Sequence, residues 1–101
     1  MKPAVIQKIN VRNMTSYKGT GDEVANQFVI NVETENGCVR IFQSYNSVIA
    51  IKDENSKVTL DVNLWDCSAT TARYRNQFLC EDTAETRCKI KAGIYQLADL
   101  N

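Results

Sequence analysis

Residues 65–79, Trp-Asp-Cys-Ser-Ala-Thr-Thr-Ala-Arg-Tyr-Arg-Asn-Gln-Phe-Leu, hold the densest chemistry in the chain. They contain its single tryptophan and two arginines around a tyrosine. Arginine interleaved with aromatic rings is the pattern of a base-stacking surface. Tryptophan, tyrosine and arginine are also the residues enriched at protein–protein hot spots. Two candidate sets follow. A partner-binding set takes Arg73, Arg75, Asn76 and Gln77 from this stretch, joined by Tyr17 and Tyr45. A nucleic-acid set, the alternative, takes Arg73, Arg75, Arg87, Lys89 and Lys91. The structural reading of the same residues is a helix locked on a core. Tyr74 and Phe78 are four apart and share a helical face with Thr71, Arg75 and Leu79. On that reading Arg75 snorkels out from the packed face, Arg73 lies in solvent, and Trp65 plugs the junction beside the helix cap.

Other chemistry is thin. The chain has no histidine, which removes Ser-His-Asp and Cys-His nucleophile pairs and most catalytic zinc sites. Asp61, Asp66, Glu81 and Asp82 are carboxylates, but no spacing marks two of them as an acid–base pair. No enzyme activity and no cofactor are expected. Cys38, Cys67, Cys80 and Cys88 are separated by 29, 13 and 8 positions, so the paired ligands of a structural zinc site are missing. They read as small, partly buried fillers. Gly19-Thr20-Gly21 lacks the Lys-Ser/Thr end of a phosphate loop and the third glycine of a dinucleotide motif.

The elements that must position these residues are readable in outline. At 101 residues the chain is expected to form one α+β domain, 1–101. Twelve basic and twelve acidic residues cancel, so no broad positive field draws the protein to nucleic acid. Lys2 is followed by an apolar run that stops at Gln7, shorter than the ~7–15 residues of a secretory signal. No apolar run approaches the roughly 18 residues of a spanning helix. The expectation is an intracellular, cytoplasmic protein with no membrane contact.

Residues 5–13 alternate as a first strand, with Val5, Gln7, Ile9 and Val11 on one face and Ile6, Lys8, Asn10 and Arg12 on the other. Residues 13–25 read as a loop. Asn36-Gly37 predicts a type I′ hairpin whose register pairs Val32 with Ile41, Glu33 with Arg40 and Phe28 with Tyr45. Val48–Lys52 and Lys57–Val62 form a second hairpin around Asp53-Glu54-Asn55-Ser56. A helix follows, capped by Asp66 or Ser68. Asp82 caps a second helix, with Glu85 three residues on, and Gly93 ends it. The last segment, Ile94–Leu100, reads as a short strand or extended tail. The fold class is thus an antiparallel sheet of about five strands followed by two short C-terminal helices packed on one face. If apolar side chains stay on the uncovered face, with Tyr45 and Phe42 as candidates, that face is a contact or homodimer surface. An edge strand offers a second route to a homodimer.

Phe42-x-Ser-Tyr45, Leu60-Asp61, Trp65-Asp66-x-Ser68-x-Thr70-Thr71, Tyr74-Arg75-Asn76-x-Phe78-Leu79 and Lys89-Ile90-Lys91-x-Gly93-x-Tyr95-x-Leu97 make up a recurring pattern. In these motifs the chain resembles a family of small, uncharacterised proteins from phages and mobile elements of gut bacteria, over most of its length after the first loop. It departs at Cys67 and Cys80, where the resemblance implies an aromatic residue and a glycine. The resemblance also implies a setting in which small proteins act by stoichiometric binding. The expected function is a non-catalytic phage or mobile-element protein that binds a host protein or ribonucleoprotein complex, such as an anti-CRISPR inhibitor of host defence. The alternative is a nucleic-acid-binding accessory that uses the basic C-terminal helices.

Overall fold

The computed structural model describes residues 5–101; Lys2 lies outside them. Its sheet runs β1 (Ile6–Thr15), β2 (Glu23–Thr34), β3 (Gly37–Ser44), β4 (Ser47–Lys52) and β5 (Val58–Asp61), followed by helices α1 (Ala69–Leu79) and α2 (Thr83–Lys91) and a last strand, β6 (Gln96–Ala98). The six strands lie side by side in chain order. The first five form the expected antiparallel meander, and β6 returns parallel to β5 through the helices. This is the α+β architecture read from the sequence, with the C-terminal segment resolved as a sixth strand.

Three sequence expectations change. The β2–β3 hairpin turns on Glu35-Asn36, not Asn36-Gly37, and pairs Val32 with Val39, Ile30 with Ile41, Asn31 with Arg40 and Phe28 with Gln43. The Thr34 hydroxyl closes the turn, accepting from Asn36 N at 3.1 Å and donating to the Gly37 carbonyl at 2.9 Å. This register, two residues from the expected one, matches three apolar pairs, Val29–Phe42, Ile30–Ile41 and Val32–Val39, where the other matched Val32–Ile41 and Phe28–Tyr45, and cross-strand pairs are what stabilise a sheet. In β1, an irregularity between Ile6 and Lys8 puts Ile6 opposite Thr34, on the face shared by Ile9 and Val11. Strands β1 and β2 also reach further than expected, so the loop shrinks from 13–25 to 16–22.

The core lies between the sheet and α1. Val29, Phe42, Ala50 and Leu60 are in register across four strands and pack with Ile49, Val58, Tyr74, Phe78, Leu79 and Tyr95. The rings of Phe42 and Phe78 stack at 5.9 Å. Phe42 is therefore core, not part of the open face. Tyr45 sits in the β3–β4 turn at a positive φ of 55°, its N–H donating to Asn26 O at 2.7 Å. Ser68 caps α1, its hydroxyl accepting from Thr71 N at 3.1 Å, and Asp82 caps α2, accepting from Glu85 N at 2.8 Å. Both helix ends adopt left-handed backbone: Gly93 has φ 76°, and Cys80 has φ 57°.

Candidate partner-binding surface

Most of the aromatic and cationic residues of 65–79 turn inward. Arg75 is fully buried, at 0% exposure. Its guanidinium donates to the Trp65 carbonyl, to Asn76 Oδ1 at 2.8 Å and to Thr83 Oγ1 at 2.7 Å, and pairs with Asp66 at 3.3 Å. The Trp65 ring lies 5.1 Å from it and 5.9 Å from the Arg87 guanidinium. Burial pulls the Arg75 pKa below its ordinary value, against the opposing pull of Asp66, yet an arginine stays charged in a protein. The snorkelling expectation is corrected: the head is held inside, because the segment after β5 and the start of α2 supply acceptors there. Arg75 is a tie between the 65–66 segment, α1 and α2.

A second tie centres on Glu81, between the helices. It accepts from Lys89 Nζ at 2.7 Å, Tyr95 OH at 2.6 Å and Thr86 Oγ1 at 2.6 Å. Burial would raise its pKa, but these three donors outweigh burial and hold it low. Tyr95 is raised by burial and by Glu81. Asp61 is a third tie. At 1% exposure, it accepts from the backbone N–H groups of Asn63, Leu64 and Leu100 and from Asn101 Nδ2, at 2.8–3.1 Å. These bonds win over burial, and the Asp61 pKa is lowered.

The nucleic-acid set is thus dispersed. Arg75 is interior, Lys89 is bound to Glu81, and Arg87 pairs with Asp66 at 3.2 Å; Arg73 and Lys91 are exposed. The partner-binding set is partly assembled. Arg73 lies over the Tyr17 ring at 4.1 Å, and Tyr17 meets Tyr74 edge-on at 6.3 Å. Gln77 donates to Thr15 O at 3.1 Å. Asn76 is half-buried and donates to Thr83. Tyr17, beneath Arg73, therefore clamps the 16–22 loop onto α1, and Gln77 ties the end of β1 to the same helix. All four cysteines are exposed, contrary to the filler expectation; Cys67 precedes a cap, Cys80 follows a helix, and both sit where the chain turns outward.

Two surfaces remain, and both are on the sheet. The helices cover only the end of their face that holds Val29, Phe42 and Leu60. Beyond it lie Lys8, Asn10, Asn31, Glu33, Cys38 and Arg40, which line one shallow depression. Arg12 and Arg40 line a neighbouring groove of about 150 Å³ against Phe78 and Cys80. Register places Lys52 directly across from Arg40. Among the described residues, Lys8, Arg12, Arg40 and Lys52 have no carboxylate within ion-pair distance. The opposite face is aliphatic: Ile9, Val32 and Val39 form one cross-strand row, and Val11, Ile30, Ile41 and Ile51 the next. Sequence reading missed the cationic patch because its members come from three strands and only register aligns them. Among the described residues, no cluster of three metal-ligating side chains occurs, and no helix is long and apolar enough to cross a membrane.

No curated protein and no solved structure matches the chain. A family model does match, over residues 6–93, from the first residue of β1 to the glycine after α2. The chain belongs to that family, a family of unknown function designated DUF8033.

Proposed function

We propose that this family member is a non-catalytic binding protein that acts stoichiometrically on a larger, anionic macromolecule, gripping it with the helix-free end of the polar sheet face. The observation that carries this reading is the unpaired set Lys8, Arg12, Arg40 and Lys52, with Glu33 the one carboxylate on the same patch. Arg40 and Lys52 stand directly opposite each other, and like charges so placed destabilise a sheet. Such a pair is better suited to an external anion than to the fold. On a chain of zero net charge, it makes a local positive field where the whole molecule has none.

The finer proposal draws on the motif resemblance. The partner is a host protein or ribonucleoprotein complex inside a bacterial cell. The role is that of a phage or mobile-element inhibitor of a host defence system, as an anti-CRISPR is. A tagged chain expressed in bacterial cells and cross-linked should recover one macromolecule at a fixed ratio. Recovery of none, or of a smear without a fixed ratio, contradicts the proposal.

The same cations favour a second reading, a nucleic-acid-binding accessory, although through the sheet and not the C-terminal helices. Titration of labelled single-stranded and duplex DNA and RNA separates the two. Affinity that falls steeply with salt supports nucleic acid, and no binding at low salt removes it.

A further inference from the structure

The aliphatic face of the sheet is independent of the cationic patch and lies on the other side of the same strands. In the central rows of the paired register the charged side chains Lys8, Arg12, Glu33, Arg40 and Lys52 point to the helix side, and Glu23 pairs with Thr15 at the far end of β2. The two rows of the other side, Ile9, Val32 and Val39 and then Val11, Ile30, Ile41 and Ile51, carry no charge; the Glu54 carboxylate lies at their margin, beside Gly37. Such segregation is not needed to fold a two-layer domain, where the outward face of an antiparallel sheet is ordinarily polar. Ile6, Ile9 and Val11 are left 57%, 56% and 58% exposed.

We infer that this face is covered by the same face of a second copy, forming a two-fold dimer in which two sheets stack and the helices lie outermost. Two observations point to a second copy over a different protein. First, the two aliphatic rows hold no charged group that would select a partner by charge complementarity, Glu54 standing only at their margin, and rows of branched aliphatics are self-complementary across a two-fold axis. Two such sheets pack about 10 Å apart with interdigitating side chains. Second, the area suits a dimer. The exposed and half-buried aliphatics expose on the order of 600 Å² per copy, the upper limit for the largest patch on a monomer. Asn13, Thr34, Gln43 and Thr59, on the same face, bring this toward the ~800 Å² each partner gives to a stable interface. The same patch is too flat and featureless to enclose a small molecule, which needs a concave site.

The test is the mass in solution by light scattering and sedimentation across a dilution series, for the full chain and two variants. The chain should run as a dimer at micromolar concentration. Val11→Lys, which adds two facing charges to the dry interface, should weaken the dimer by at least about 100-fold while circular dichroism and the melting curve stay those of a folded domain. Ala84→Lys, the same charge placed on exposed α2, should leave the dimer intact. A chain that stays monomeric throughout the series overturns the inference. So does a dimer that survives Val11→Lys, since edge-to-edge pairing through β1 would be untouched by a charge on the face.

Discussion

Cys80 ends α1 in the left-handed region, at φ 57°, where a side chain costs about 1–2 kcal/mol. The motif resemblance implied glycine at this position, and the backbone shows why glycine fits. Cys80→Gly should stabilise the fold by about 0.5–1 kcal/mol once glycine's greater freedom in the unfolded chain is offset. The midpoint of urea unfolding checks this; an unchanged or lower midpoint would mean the thiol makes a contact that matters more than the strain. Arg75 is the opposite case. Removing its head leaves the Trp65 carbonyl, Asn76, Thr83 and Asp66 without their shared donor, so Arg75→Ala should cost about 2–4 kcal/mol. Arg75→Lys should recover little, because an ammonium cannot reproduce the fork. Asp61 and Glu81 set the acid response. Their folded pKa values lie below the ordinary range, so the fold favours the ionised forms. That stabilisation is complete above the unfolded values of about 4 and is lost as pH falls through the depressed folded values. Unfolding midpoints taken from neutral pH to about pH 3 should drop, and Asp61→Asn, weaker at neutral pH, should flatten the curve. A flat wild-type curve would show that neither carboxylate is linked to folding.

Local signals carried the elements well. Aspartate before α2 and glycine after it mark helix ends through bonds that act within a few residues, and each appears where the sequence placed it; before α1, of the two caps offered, Ser68 and not Asp66 takes the position. Alternation gave the strands. What it could not give was pairing. Asn36-Gly37 is a strong turn signal, yet Thr34 and three apolar cross-strand pairs moved the turn by one residue and the register by two. A shift of two keeps every side chain on its face, so the face assignments in β2 and β3 held although the partners changed. In β1 a local irregularity moved Ile6 to the other face, which no periodicity reveals. The cysteines were misjudged for a related reason: composition makes cysteine a core residue on average, whereas these four sit in the turn before α1, at the end of α1, on the exposed face of α2 and at the sheet's open margin.

At the scale of the molecule, the stretch 65–79 is chiefly scaffold, and the sheet carries the free surfaces. One side of the sheet is divided between a helix-covered core and an open cationic patch; the other is aliphatic. A dimer through the aliphatic side would hold two cationic patches facing outward, and two linked sites raise avidity only if the partner spans both. The candidate site was only partly legible, because Tyr17, Arg73 and Gln77 converge beside α1 while the cations without a carboxylate partner, Arg40 among them with its guanidinium 5.5 Å from the Phe78 ring, had to be aligned by register. The most direct measurement is partner recovery by the tagged, cross-linked chain, compared between Lys8→Glu/Arg40→Glu and Arg73→Ala/Gln77→Ala. The account predicts that the sheet variant loses at least about 90% of the recovered partner, a tenfold drop in affinity at limiting concentration, while the helix variant keeps it. Loss with the helix variant and retention with the sheet variant would contradict it and return the function to α1.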